Sequence, residues 1–371
     1  MNGFEKRESH FLMSIEQKII LTGDLNFMGL DAAAHVFDCI KPDLWEADAV
    51  ISNLECCFFN QKSKLHNQSA TGHFYERSGQ REGFHANPAA ALILKAANIT
   101  MVGNANNCNY GDAAIRSSIG ILRDQEIPFS GAGTNWKEAC EPAFQKIGDL
   151  RVGFIQRTSV YWPNNHEASA LHPGVATLKI HTAYSPQIDG YAANRPGTPP
   201  DILTWVDSAY LEDLVSQIQK LKESAEIVIA SFHWGYKEKV LGYMREVAHA
   251  VIDAGADIVL GHGPHMPLPA EIYKSRPIFY GLGSFVFHNG HRGKVHGNWV
   301  GMMGRVNIQN KKLKSFGFSL VRRNEENQTF ISPLEDEAIV LEPIFGAMRA
   351  SGLIFNIENN SVYFKADKKE S

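Results

Sequence analysis

The stretch "GADIVLGHGPHMP", Gly255 to Pro267, decides how this sequence is read. Its first half, "ADIVL", is a short apolar run of the kind that forms a strand buried on both faces. Its second half sets two imidazoles, His262 and His265, on a tight loop of glycine and proline. Gly and Pro restrict the path of a turn, so the two rings are held together. In parallel α/β sheets, sites form at the carboxyl ends of strands.

The same design recurs along the chain. Short apolar runs appear at 18–24 ("KIILTGD"), 48–55 ("DAVISNLE"), 98–104 ("NITMVGN"), 151–157 ("RVGFIQR"), 226–235 ("EIVIASFHWG") and 277–287 ("PIFYGLGSFVF"). Between them, residues 88–98, 112–125, 201–225 and 244–256 place apolar side chains three and four apart, which predicts helices. Strand–helix alternation predicts an α/β fold with a largely parallel sheet. Residues 60–86 and 158–200 break the rhythm and read as loops, the second rich in Pro, His and aromatics. A loop that long in a compact domain is functional or flexible.

Composition narrows the classes. The chain has 371 residues, 44% of them hydrophobic and 20% charged, with a formal net charge of −4. That fits a globular protein and gives no reason to expect a nucleic-acid partner. No window approaches the ~18 apolar residues of a membrane span, and no apolar stretch near the start reads as a secretory signal. Five cysteines, two of them adjacent, do not make a disulfide framework, so reduced thiols and a cytoplasmic location are expected. A dinucleotide-dependent enzyme is disfavoured, because no G-x-G-x-x-G succeeds the first strand.

The residues just past each strand carry the chemistry. The first run leads to Asp24 and Asn26, the second to Asn53 and Glu55, and the third to the asparagine-rich "NANNCN" (104–109). The later runs lead to His233 and to the His262/His265 pair. Carboxylates, neutral imidazoles and an amide carbonyl are the donors a divalent-metal centre needs. Two metals about 3.5–4 Å apart need about this many side chains.

The set "GDLNFMG", "SNLE", "ANN…YG", "FHWG", "AGADIVLGHGPHMP" and "YGLGSFVF" resembles the CapA-type (poly-γ-glutamate capsule synthesis) proteins. Their usual pattern is GD, NLE, NNH…DYG, HWG-x-E, GHHPH and YSLGNF. That family is similar to the calcineurin-like metallophosphoesterases. The resemblance covers about residues 18–305. It implies a four-layer α/β/β/α sandwich with two mixed β-sheets and two divalent metal ions (Mn, Fe, Zn or Mg) at the strand ends. Residues 1–17 would be an N-terminal extension. Residues 306–371 would complete the sandwich with strands or form a small subdomain.

Carried over by motif, the resemblance implies Asp24, Glu55, Asn107, His233, His262 and His265 as metal ligands, with Glu55 or Asn53 at the bridging position and Glu55 preferred because a bridge between cations should be anionic. Asn26 and Asn53 are second-rank candidates. Two positions depart from the pattern. "GHHPH" is here "GHGPH", and the histidine of "NNH" is here Cys108. In the phosphoesterase pattern that histidine is not a ligand; it protonates the leaving group or stabilises phosphoryl oxygens. An alternative register matches Asn104-Ala105-Asn106, which leaves the assignment of Asn107 open.

The expected activity is metal-dependent hydrolysis of a small anionic or polymeric substrate, phosphoester or γ-glutamyl, by a metal-bound hydroxide. Asp24, His262, Cys108 and Arg157 are the expected catalytic set, with Arg157 clamping the anion bidentately. His166, Glu167, His172, His181 and Tyr184 are expected to line the pocket. The alternative is a non-catalytic factor that binds poly-γ-glutamate, or another anionic polymer, or aids its synthesis.

Overall fold

The structure is a computed structural model that describes residues 16–30, 33–60, 85–162, 166–188, 195–289 and 295–365. The expected N-terminal extension and the 60–86 loop lie almost wholly outside the described residues. Six strands position the site: β1 (Glu16–Asn26), β2 (Ala49–Leu54), β3 (Met101–Gly103), β4 (Leu150–Thr158), β5 (Ile227–His233) and β6 (Ile258–His262). They belong to two mixed sheets.

In the first sheet β1, β2 and β3 run parallel. On the other side of β1 the chain adds Val300–Gln309 and Lys312–Arg323, both antiparallel to their neighbours. In the second sheet β4, β5 and β6 run parallel. Its edges are the antiparallel strands Ala143–Ile147 and Pro267–Tyr273. The two sheets pack face to face through Ile19, Leu21, Ile51 and Met101 on one side, and Phe154, Ile229, Leu260 and Phe279 on the other.

Helices cover both outer faces. Leu94 of α1 (Ala90–Ala96) and Leu122 of α2 (Asp112–Asp124) pack on Val50 and Val102 of the first sheet. Leu214 and Ile218 of α3 (Ser208–Ser224), with Met244 and Val247 of α4 (Gly242–Asp253), pack on Val228 and Ala230 of the second. Each such side chain contributes roughly 1.5–3 kcal/mol when fully buried. The order is therefore α/β/β/α, the four layers expected. Alternate β-strand residues face opposite ways, so both faces of the central strands are apolar and their sequences read as unbroken hydrophobic runs.

Two segments differ from the sequence expectation. The helix expected over 201–225 begins only at Ser208, because Asp207 caps it by accepting from Ala209 N. Ahead of the cap, Asp201–Val206 is a strand paired with Ile180–Ser185. The supposed 158–200 loop thus carries one arm of a hairpin. After residue 306 the chain stays with the first sheet: Ser361–Phe364 pairs with Lys312–Arg323. Helix α5 (Ala338–Ala350) sets Leu341, Ile344 and Met348 into the core between the sheets. No helix among the described residues is long and apolar enough to cross a membrane.

Candidate metal centre

Asp24, Asn53, His233 and His262 sit at or beside the carboxyl ends of β1, β2, β5 and β6, and Glu55 comes directly after β2. Parallel registry sets Asp24 opposite Asn53 and His233 opposite His262. Asp24 is pinned from behind. Its N–H donates to Gly283 O at 2.9 Å. Only glycine permits that approach, since a Cβ on Gly23 would lie 2.0 Å from the same oxygen.

The two histidines of the opening stretch converge on Asp24. His262 Nδ1 lies 3.3 Å from Asp24 Oδ1, and His265 Nδ1 lies 3.1 Å from Asp24 Oδ2. His265 Nε2 and His233 Nε2 lie 3.6 and 3.9 Å from Glu55 Oε1. Asp24, Glu55 and His265 each offer a donor atom within 4.8 Å of the others'. His265 holds a left-handed backbone, φ 57°, a conformation that costs energy for a non-glycine residue and clusters at functional sites.

The donors fit a cation better than they fit one another. Asp24 Oδ2, Glu55 Oε2, His262 Nδ1 and His265 Nδ1 are buried without a hydrogen-bond partner. Orphaned buried polar atoms are expensive, and four in one cluster call for a common partner. Carboxylate oxygens with imidazole nitrogens are the donor set of a divalent transition metal.

The electrostatics agree. Burial raises the Asp24 carboxyl, but His262 and His265 outweigh it and hold the group well below the ordinary carboxylate range. Burial lifts Glu55 well above that range; the positive His265 opposes the lift and the neighbouring Asp24 charge adds to it. Burial lowers His233 to about 3, which leaves a neutral ring suited to metal binding. His265 is driven the other way, to about 9: burial opposes its charge, and Glu55 and Asp24 overcome it.

An amide layer backs the centre. Asn53 Nδ2 donates to Asp24 Oδ1 at 2.8 Å, and Asn53 Oδ1 accepts from Asn106 and Gln156, both at 3.1 Å. Gln156 Oε1 in turn accepts from Ala105 N at 2.6 Å. Gln156 was missed by sequence reasoning, although an uncharged polar residue inside the apolar run "VGFIQ" was the signal. Asn106 holds its own loop, its Oδ1 accepting from the N–H groups of Cys108 and Asn109 at 3.1 Å. Asn104 is buried with neither amide atom partnered.

The other expected site residues divide. Cys108 lies at the centre, its Sγ 3.5 Å from Glu55 Oε1. Burial, reinforced by the Glu55 charge, pushes its thiol well above the ordinary range. Asn107 is half-buried beside Cys108, with its Oδ1 4.0 Å from that sulfur. Asn26 closes a turn by accepting from Met28 N at 2.8 Å.

Arg157 is not brought to the centre. Strand alternation sends Gln156 to one face of β4 and Arg157 to the other, where its guanidinium donates to Gln156 O and to Gln217 Oε1 on α3. There it is buried in structural contacts. His166 Nε2 donates to Asn109 O at 2.7 Å while its Nδ1 accepts from Trp162 N, so it braces the asparagine loop. Glu167 accepts from Thr177 and Tyr210, and with His172 it lines a separate cleft of about 670 Å³. His181 pairs with Asp207 Oδ2 at 3.0 Å on the hairpin, where Tyr184 is exposed. Sequence reasoning also missed His296, whose ring centroid is 5.4 Å from that of His265.

The sequence pattern of the bacterial capsule synthesis protein PGA_cap family matches residues 18–289. The PGA biosynthesis protein CapA of Bacillus subtilis (strain 168) is 28% identical over 70% of this chain and 58% of its own length. The capsule biosynthesis protein CapA of Bacillus anthracis is 26% identical over 69% of this chain and 54% of its own. The aligned part is thus between half and two thirds of those relatives. Among solved structures, a phosphatase from Mycoplasma pneumoniae aligns over 84% of this chain and 95% of that one, with a TM-score of 0.47 and 11% identity. So remote a likeness carries no argument about chemistry.

Proposed function

Since the chain belongs to the bacterial capsule synthesis protein PGA_cap family, we propose that it is a metal-dependent hydrolase of an anionic substrate, with a phosphoester or γ-glutamyl bond as its target. The observation that carries this reading is the set of four orphaned buried donors on Asp24, Glu55, His262 and His265. With His233 these residues would hold the divalent metal. Such ions, when bound, activate water and neutralise charge that develops on the substrate.

The chain's own residues have definite tasks. Asn53 fixes the Asp24 carboxylate through its 2.8 Å hydrogen bond. Gln156 fixes Asn53 in turn. Asp24 and Glu55 are shielded from solvent, and His265, 29% exposed, marks the open side where substrate enters. Relatives named for PGA and capsule biosynthesis support a γ-glutamyl polymer as one substrate class. Residues 18–305 form the functional domain in this reading, and the described residues after 305 complete its first sheet. Five free thiols support a reducing, cytoplasmic setting.

A second reading is a non-catalytic factor that binds the anionic polymer. Cys108 favours it, because it stands where the resembled pattern has its acid histidine and lies buried against Glu55. A panel of phosphomonoesters, phosphodiesters and γ-glutamyl peptides, assayed with Mn²⁺, separates the two. Turnover that disappears in the His233→Ala/His265→Ala double variant establishes the hydrolase. Bound metal with polymer binding and no turnover establishes the factor. A protein that takes up no divalent metal but binds the polymer refutes the hydrolase and leaves the factor.

A further inference from the structure

We infer that Cys108 is itself a metal ligand: its sulfur completes the coordination of the cation that Glu55 and His233 face, and biases the centre towards thiophilic ions such as Zn²⁺ over Mg²⁺ and Mn²⁺. This rests on the metal reading above. In the resembled pattern the position is a histidine that does not bind metal, so the role is particular to this chain.

The sulfur–carboxylate separation has the right scale, and the carboxylate–imidazole separation is slightly longer. Cys108 Sγ lies 3.5 Å from Glu55 Oε1, and the same oxygen lies 3.9 Å from His233 Nε2. Tetrahedral zinc holds sulfur at about 2.3 Å and nitrogen or oxygen at about 2.0–2.2 Å, which puts two of its donors roughly 3.3–3.6 Å apart. A plain S–H···O hydrogen bond is weak and accounts for less. It leaves Glu55 Oε2, in a residue only 1% exposed, with no partner.

The thiol is also held in place. Cys108 is 2% exposed, and its N–H donates to Asn106 Oδ1 at 3.1 Å. Asn106 is anchored to Asn53 Oδ1 and to Leu54 O, on the strand that carries Glu55. The loop therefore keeps the sulfur beside the carboxylate. Cys57 behaves differently: its Sγ is satisfied by Asn109 Oδ1 at 3.0 Å. When Cys108 binds, its proton leaves to solvent and the thiolate takes the cation. Soft thiolate ligands select Zn²⁺ over hard cations.

The test uses the full chain loaded with Zn²⁺ or Co²⁺. X-ray absorption at the zinc edge is expected to show a sulfur neighbour at about 2.3 Å. The Co²⁺ protein is expected to show a near-ultraviolet thiolate charge-transfer band, lost in Cys108→Ser and kept in Cys57→Ser. In competition, the Zn²⁺-over-Mn²⁺ preference is expected to fall at least tenfold in Cys108→Ser. A zinc-bound wild-type protein with no sulfur neighbour overturns this inference and leaves the metal centre standing. A protein that binds no cation overturns both. The wild-type absorption measurement decides the matter even where Cys108→Ser does not fold.

Discussion

His265 Nδ1 lies 3.1 Å from Asp24 Oδ2, yet neither atom has a hydrogen-bond partner. The two are close but misaligned, as donors are when both aim at a third body. Asp24→Asn should therefore abolish cation binding. In the wild type, a cation at 100 times its Kd stabilises the fold by about 2.7 kcal/mol. Thermal denaturation with and without Zn²⁺ or Mn²⁺ reads this as a rise in Tm, and the rise should vanish in Asp24→Asn. An undiminished rise in the variant would remove Asp24 from the centre.

The same pair sets a pH dependence. His265 titrates at about 9 in the folded chain, against an ordinary value near 6.5. A raised folded pKa stabilises the metal-free fold in full below pH 6.5, and that contribution is lost as pH rises from 6.5 through 9. His233, lowered to about 3, is neutral in the fold throughout this window; in the unfolded chain its ring charges near and below pH 6.5, where it works against the fold. Cation binding must displace the His265 proton and, if Cys108 is a ligand, the thiol proton as well, so affinity should rise with pH through 9 and go on rising beyond it. Titration calorimetry from pH 6 to 10 measures both trends. A flat affinity profile would contradict the assignment.

The part of this that could be read from the sequence depends on the signal each residue gave. Asp24, Glu55, His233, His262 and His265, which the fold brings together, stand out in the sequence because each comes closely after an apolar run, most beside a glycine or proline that announces a turn. The asparagine loop does not. Its four asparagines are chemically alike, and only the fold shows that Asn106 and Asn109 hold the loop while the Asn104 side-chain amide has no partner. Arg157 was read by its charge, whereas strand alternation decides its side of the sheet. The 201–225 helix was read through its apolar spacing, which is ambiguous until Asp207 is seen as a cap.

Gln156 connects Ala105 N, Asn53 Oδ1 and Ser231 Oγ in one buried network. Gln156→Leu removes both of its amide atoms and leaves Ala105 N and Ser231 Oγ without that partner, while Asn53 Oδ1 keeps only Asn106. Each unsatisfied buried group costs about 1–3 kcal/mol, so the variant should lose about 2–4 kcal/mol of stability. Because Asn53 then holds Asp24 less firmly, cation affinity should fall as well. Urea denaturation and metal titration measure the two losses. A loss of stability with unchanged affinity would show that the amide layer does not position Asp24.

Arg157 gives an outcome opposite to that of an anion clamp. Its guanidinium is buried against Gln156 O and Gln217. Arg157→Met keeps the volume but removes the hydrogen bonds, and should destabilise the chain by about 2–3 kcal/mol. KM for an anionic substrate should not change, because the group lies on the far face of β4. A large rise in KM with unchanged stability would return Arg157 to the substrate.

Gly263→His restores the "GHHPH" of the resembled pattern, and the structure argues that it will fail. Gly263 has φ 111°, and a Cβ there would lie 2.6 Å from Trp234 O and 3.3 Å from His233 Nε2. The backbone oxygen of Trp234 has little room to move, because Trp234 N donates to His262 O at 2.9 Å. Left-handed strain alone costs a side-chain-bearing residue about 1–2 kcal/mol, and the clash adds to it. Tm should drop, and His233 should be pushed off Glu55, so cation affinity should fall with it. Gly263→Ala should show most of the same loss, since the Cβ is the offending atom. A Gly263→His protein with wild-type Tm and metal affinity would mean that the loop readily adopts another path.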